Sequence, residues 1–184
     1  MENYKFNKLN CKDVKEAAKR IQNETGLSFD VHKFIDKYLF ATIAEVKVIH
    51  HNDLLHAMGA ILAGASFFTM LDGSKSEPFI VVDDDFVNAP ANVRKWVAYH
   101  EMGHIHNDHM KRDCKTIQID NVKRIILSCI GVASKLELEA DSFAINKTSV
   151  VESVRVLNWM KRRMSNINGQ MELNSRIHHA MKFA

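Results

Sequence analysis

The stretch Val93-Arg94-Lys95-Trp96-Val97-Ala98-Tyr99 runs without glycine or proline into His100-Glu101-Met102-Gly103-His104. Val93, Trp96, Val97, His100 and His104 recur at spacings of three and four, which is the period of one helix face. Pro90 and Asn92 mark an entry, so the pattern predicts a helix over about 91–107. Two histidines four apart on a helix lie about 40° apart around the axis and roughly 6 Å along it. Their ring nitrogens can meet one metal ion, and the glutamate between them can reach a water on it. Gly103 costs about 1 kcal/mol against alanine inside a helix. Such a glycine is expected where another backbone comes close.

A catalytic zinc takes three protein ligands and keeps one position open. The third ligand is expected in Leu136-Glu137-Leu138-Glu139-Ala140-Asp141-Ser142-Phe143-Ala144. Glu137 and Asp141 are four apart, so on a helix they share a face. Glu137 is the expected ligand. Asp141 is expected to accept the far N–H of His100, which fixes that ring's tautomer. Glu139 points to another side and reads as solvated. The expected cofactor is one Zn²⁺ per chain, held by His100, His104 and Glu137. The expected chemistry is amide hydrolysis by water on the metal, with Glu101 taking and returning the proton.

The rest of the chain is read around that helix. Residues 11–23 and 28–40 read as amphipathic helices, with Gly26 between them and Asp30 a cap for the second. Strands are expected over 42–49, 64–71 and 78–82, the last two joined by the turn signal Asp72-Gly73-Ser74. Residues 52–58 fit a short helix or an irregular connection. Helices are expected again at about 120–133, 134–147, 149–165 and 172–182. The order of helices, a small sheet and then helices predicts an α+β fold. It is mostly helical, with about three strands packed on the metal-site helix. The 184 residues are expected to form one domain, with 1–40 a helical extension of unassigned role.

Composition narrows the partners. Net charge is +3, too small to argue for nucleic acid, and Lys161-Arg162-Arg163 reads as the solvated face of a helix. The start MENYKFNKLN has no apolar signal core. The apolar-rich run from Ala60 to Leu71 is too short to cross a bilayer, so no membrane partner is expected. Cys11, Cys114 and Cys129 form no metal-type spacing, and their odd number suits a reducing compartment. A cytoplasmic protein is the expectation. His50, His51, His56, His106 and His109 read as surface or capping residues, and the nine methionines as core filler.

His-Glu-x-x-His followed on a later helix by Glu137-x-x-x-Asp141 resembles the gluzincin zinc metallopeptidases. The strand FIVVD, a short loop and RKWVAYHEMGH are similar to two groups within reach of that family. One is the ImmA/IrrE-like repressor-cleaving peptidases, which share the segment Glu139-Ala140-Asp141-Ser142-Phe143-Ala144. The other is the HtpX-like peptidases, resembled through Glu137 and Asp141, through His109, and through Arg176-Ile177 near the C-terminus. The resemblance implies a zincin fold and a zinc endopeptidase acting on an intracellular protein or peptide substrate, a regulatory protein among the candidates. It also implies that Arg176 is the donor that steadies the developing oxyanion, with His178, His179 and Tyr99 as further candidates. The competing reading is a zincin-fold protein without turnover, a zinc-binding scaffold or regulatory binding protein.

Overall fold

A computed structural model describes residues 36–43, 45–51, 67–71, 78–109, 119–120, 122–124, 126–127 and 130–184. The expected helix over 11–23, the first part of that over 28–40, the segment 52–58, Cys11, Cys114, Cys129 and His56 lie outside the described residues. Among those described, four strands form one sheet: β1 (Leu39–Ile43), β2 (Val46–His50), β3 (Phe67–Leu71) and β4 (Pro78–Val82). Helices follow, α1 (Asp84–Val87), α2 (Ala91–His106), α3 (Lys135–Lys147), α4 (Val150–Arg163) and α5 (Ile167–Met181), and the described residues 119–120, 122–124 and 126–127, within the helix expected over about 120–133, are helical too. The fold is α+β, with the small sheet first and the helices after it.

The strand order is β1-β2-β4-β3. β1 and β3 run antiparallel to their neighbours, and the central pair β2 and β4 is parallel. The central strands explain the continuous apolar run in Phe79-Ile80-Val81-Val82. A strand covered on both faces needs no polar alternation, and all four residues are buried, as are Val48 and Ile49. The single strand expected over 42–49 is instead a hairpin. Ile43 pairs with Val46, and Glu45 supplies the left-handed backbone of the turn with φ 67°. The first arm begins at Leu39, so strand replaces the end of the helix expected over 28–40.

α2 packs its apolar face into the core through Val93, Trp96 and Val97, against Val48, Ile80 and Val82 of the sheet. The buried indole N–H of Trp96 donates to Ser153 Oγ of α4 at 2.8 Å, so its one polar atom is satisfied. Ser149 and Asn166 cap α4 and α5 with side-chain oxygens. The Asn166 cap starts α5 at Ile167, five residues before the expected start at 172. Among the described residues, no helix is long and apolar enough to cross a membrane.

α2 and α3 meet at Gly103. A Cβ there would stand 2.8 Å from Ala140 Cα and 2.9 Å from the Ala140 carbonyl oxygen. This is the close backbone neighbour that a glycine inside a helix implies. Gly103→Ala is expected to destabilise the fold by about 1–3 kcal/mol. The clash is with backbone, which cannot rotate away, and it outweighs the roughly 1 kcal/mol of helix propensity that alanine gains. Denaturant unfolding would show a lower midpoint; an unchanged or higher one would contradict the crossing.

Candidate metal centre

The crossing at Gly103 sets the two halves of the site against each other. His100 and His104 project from α2, and Glu137 lies in the first turn of α3. Ser134 caps α3 by accepting from the Glu137 backbone N–H at 3.4 Å. That leaves the Glu137 side chain to reach across to α2. His100 Nε2 stands 3.2 Å from His104 Nε2 and 3.3 Å from Glu137 Oε2, and His104 Nε2 is 3.8 Å from Glu137 Oε1. A tetrahedral Zn²⁺ with bonds of 2.0–2.1 Å requires its ligand atoms to be about 3.3 Å apart. The three donors therefore already stand at close to the edge lengths of a zinc tetrahedron. Together they can hold a metal ion, and three donors leave the fourth corner open.

The His100 ring is held from both sides. Trp96, one turn earlier, lies nearly parallel to it, with ring centroids 5.6 Å apart. Its Nδ1 donates to Asp141 Oδ1 at 2.8 Å, as expected from the spacing of Glu137 and Asp141. This leaves Nε2 to face the other two donors. Asp141 is fully buried, and Arg176 of α5 meets it at two points. Nε donates to Oδ2 at 2.8 Å and Nη2 to Oδ1 at 2.6 Å.

Arg176 is thus part of the site, but its position argues for another role than the one its resemblance implies. Two of its nitrogens are engaged by Asp141, on the side of His100 away from Nε2. The third, Nη1, lies 3.6 Å from Glu137 Oε2. This is the geometry of a clamp on two carboxylates. Of the other donor candidates, His179 bonds to Ser142 Oγ at 2.9 Å, His178 is exposed, and Tyr99 packs beside the core. Glu101 follows His100 on α2 and is 7% exposed.

Of the residues expected at the surface or in caps, one lies inside, behind His104. His109 is buried, with its Nδ1 2.9 Å from His104 Nδ1, and its Nε2 is 2.9 Å from Glu139 Oε2. Glu139 points away from the donors as expected, with its side chain 36% exposed, and also meets Lys135. His50 pairs with Asp84 at the surface, and His106 lies exposed against Phe143.

The electrostatics place one proton among the donors. Burial disfavours a charge on His100, but its bonds to Asp141 and Glu137 outweigh that and raise its pKa to about 9. Burial and the charge on His100 push His104 down to about 3. Burial would raise Glu137, yet the bond to His100 and the neighbouring positive charges hold it well below the usual carboxylate range. The metal-free site therefore carries its proton on His100, at the nitrogen a metal needs. The stability this contributes is complete below pH 6.5 and is lost as pH rises through about 9. Metal affinity runs the other way, because binding must release that proton. Affinity for a divalent metal is expected to fall about tenfold per pH unit below about pH 9. Chelator competition at several pH values measures this, and a flat affinity would contradict it.

Comparison with protein-family models, with curated proteins and with solved structures gave no match for this chain.

Proposed function

We propose that the chain is a zinc-dependent peptidase, a hydrolase of gluzincin type that acts in the cytoplasm on a protein or peptide substrate. The observation that carries the reading is the donor triangle with a glutamate beside it. Two imidazoles and one carboxylate stand at zinc-ligand separations with a corner left open, and Glu101 adjoins the first of them in sequence. Nitrogen and oxygen donors in this number suit Zn²⁺. A bound zinc would supply a water of pKa near 7 and a Lewis acid for the scissile carbonyl.

The chain's own residues divide the remaining work. Glu101 is the general base that takes the proton from the attacking water and passes it to the leaving amine. Asp141 keeps the His100 hydrogen on Nδ1, and Arg176 keeps Asp141 charged and in place. These two are positioning residues.

The test is cleavage that follows the metal. The purified chain is incubated with a mixture of cytoplasmic proteins, and new peptide termini are read by mass spectrometry. Termini that vanish with a zinc chelator and return on adding Zn²⁺ are expected. Zinc bound at one per chain with no metal-dependent termini would instead favour the scaffold reading.

A further inference from the structure

The C-terminus of α2 is closed by a specific turn. Asn107 caps the helix and Asp108 enters the left-handed region with φ 55°. The His109 N–H bonds back to the His104 carbonyl at 2.9 Å, and the Asp108 N–H to the Ile105 carbonyl at 3.0 Å. This pair of bonds defines a Schellman turn, which sets the residue after the left-handed one against the third residue from the helix end. An apolar contact commonly joins those two positions. Here they are His109 and His104.

The partners dictate where the hydrogens lie. A carboxylate only accepts, so His109 Nε2 carries a hydrogen and donates it to Glu139. The other nitrogen of a neutral His109 is then an acceptor. The hydrogen between the two Nδ1 atoms, 2.9 Å apart, must come from His104. His104 is thereby held as the Nδ1–H tautomer. Its lone pair sits on Nε2, the atom facing His100 and Glu137.

We propose that His109 and Glu139 are positioning residues of the metal centre, a relay that holds His104 in the tautomer able to bind a metal. Each histidine ligand then has its own support: Asp141 behind His100, and His109 with Glu139 behind His104. The inference rests on the metal-site reading above. It adds two residues that the His-Glu-x-x-His spacing does not specify. His109 is 3% exposed at its side chain, so its contact with His104 is shielded from competing water, while the outer partner Glu139 stays 36% exposed.

The experiment is zinc affinity of the full chain, by chelator competition, for wild type, His109→Leu, His109→Asn, Glu139→Ala and the His109→Leu/Glu139→Ala pair. His109→Leu is expected to weaken binding by about 10–100-fold. Asparagine places an accepting oxygen where Nδ1 stood, so His109→Asn should retain most of the affinity. Glu139→Ala should weaken zinc binding in the wild-type background and add nothing once residue 109 is leucine, because it acts through His109. A packing role alone predicts the reverse order, with leucine filling the buried space better than asparagine.

Wild-type affinity in His109→Leu, or additive losses in the pair, would overturn the relay while leaving the metal site standing. A wild-type chain that binds no zinc would overturn both. Should the variants fail to fold, the metal-free wild type answers by imidazole ¹⁵N NMR: hydrogen on Nδ1 of His104 is expected, and hydrogen on Nε2 would overturn the relay.

Discussion

If the chain is the zinc peptidase proposed above, Glu101→Gln is expected to bind zinc like the wild type and to lose about 10²–10⁴-fold of the hydrolysis, the usual contribution of a positioned base. Glu101 is not one of the three donors that could hold a metal, so the ion should stay. The side chain is 7% exposed, and glutamine keeps its shape, so packing should change little. What glutamine cannot do is accept a proton from water and return it to a leaving amine. The readout is paired: zinc per chain, and metal-dependent peptide termini by mass spectrometry. Identical fragments from both proteins would remove Glu101 from the chemistry. Loss of zinc from the variant would mean that Glu101 supports the metal rather than the proton transfer.

Replacing Arg176 is expected to give the largest loss of stability. Burial works against a charge on Asp141, but Arg176 and His100 together hold its carboxyl below the usual range. Arg176→Met removes the two-point bond and leaves a fully buried carboxylate with only the imidazole beside it. Breaking a buried pair from one side costs about 3–5 kcal/mol, read by equilibrium denaturation. The Arg176→Met/Asp141→Asn pair removes the stranded charge and should recover part of the loss. A loss under about 1 kcal/mol, within the range of an exposed ion pair, would mean that Arg176 does not carry the clamp. Zinc affinity should fall with stability in the single variant, since Asp141 would no longer hold His100 in one place.

The metal-site half of the fold was legible because its signals are local. The period of three and four from Val93 to His104 led to α2, and Gly103 announced the crossing with α3. The spacing of Glu137 and Asp141 placed one on the donors and the other behind His100. The apolar run after Pro78 gave β4 at its observed bounds.

What escaped depends on backbone that residue types specify weakly. Nothing in Thr42 to Ile49 is glycine, asparagine or proline, so the hairpin turn at Glu45 carries no conventional mark. The role of His109 depends on Asp108 taking a left-handed conformation. The cue was present in Asn107-Asp108, since both types tolerate helix-ending turns. Arg176 could be carried to the site by resemblance, but which side of His100 it occupies is a matter of how α5 packs, and no spacing encodes that.

If His100, His104 and Glu137 form one metal centre, the zinc content of the chain reports it. The full chain, purified without added metal and then exposed to Zn²⁺ and desalted, should carry about one zinc per chain, as three protein ligands and an open corner imply. Glu137→Ala, measured beside it, should carry close to none while its far-ultraviolet circular dichroism stays that of a folded α+β protein. A folded wild-type chain without zinc, or a Glu137→Ala chain that retains it in full, would mean that these three residues do not form a metal centre.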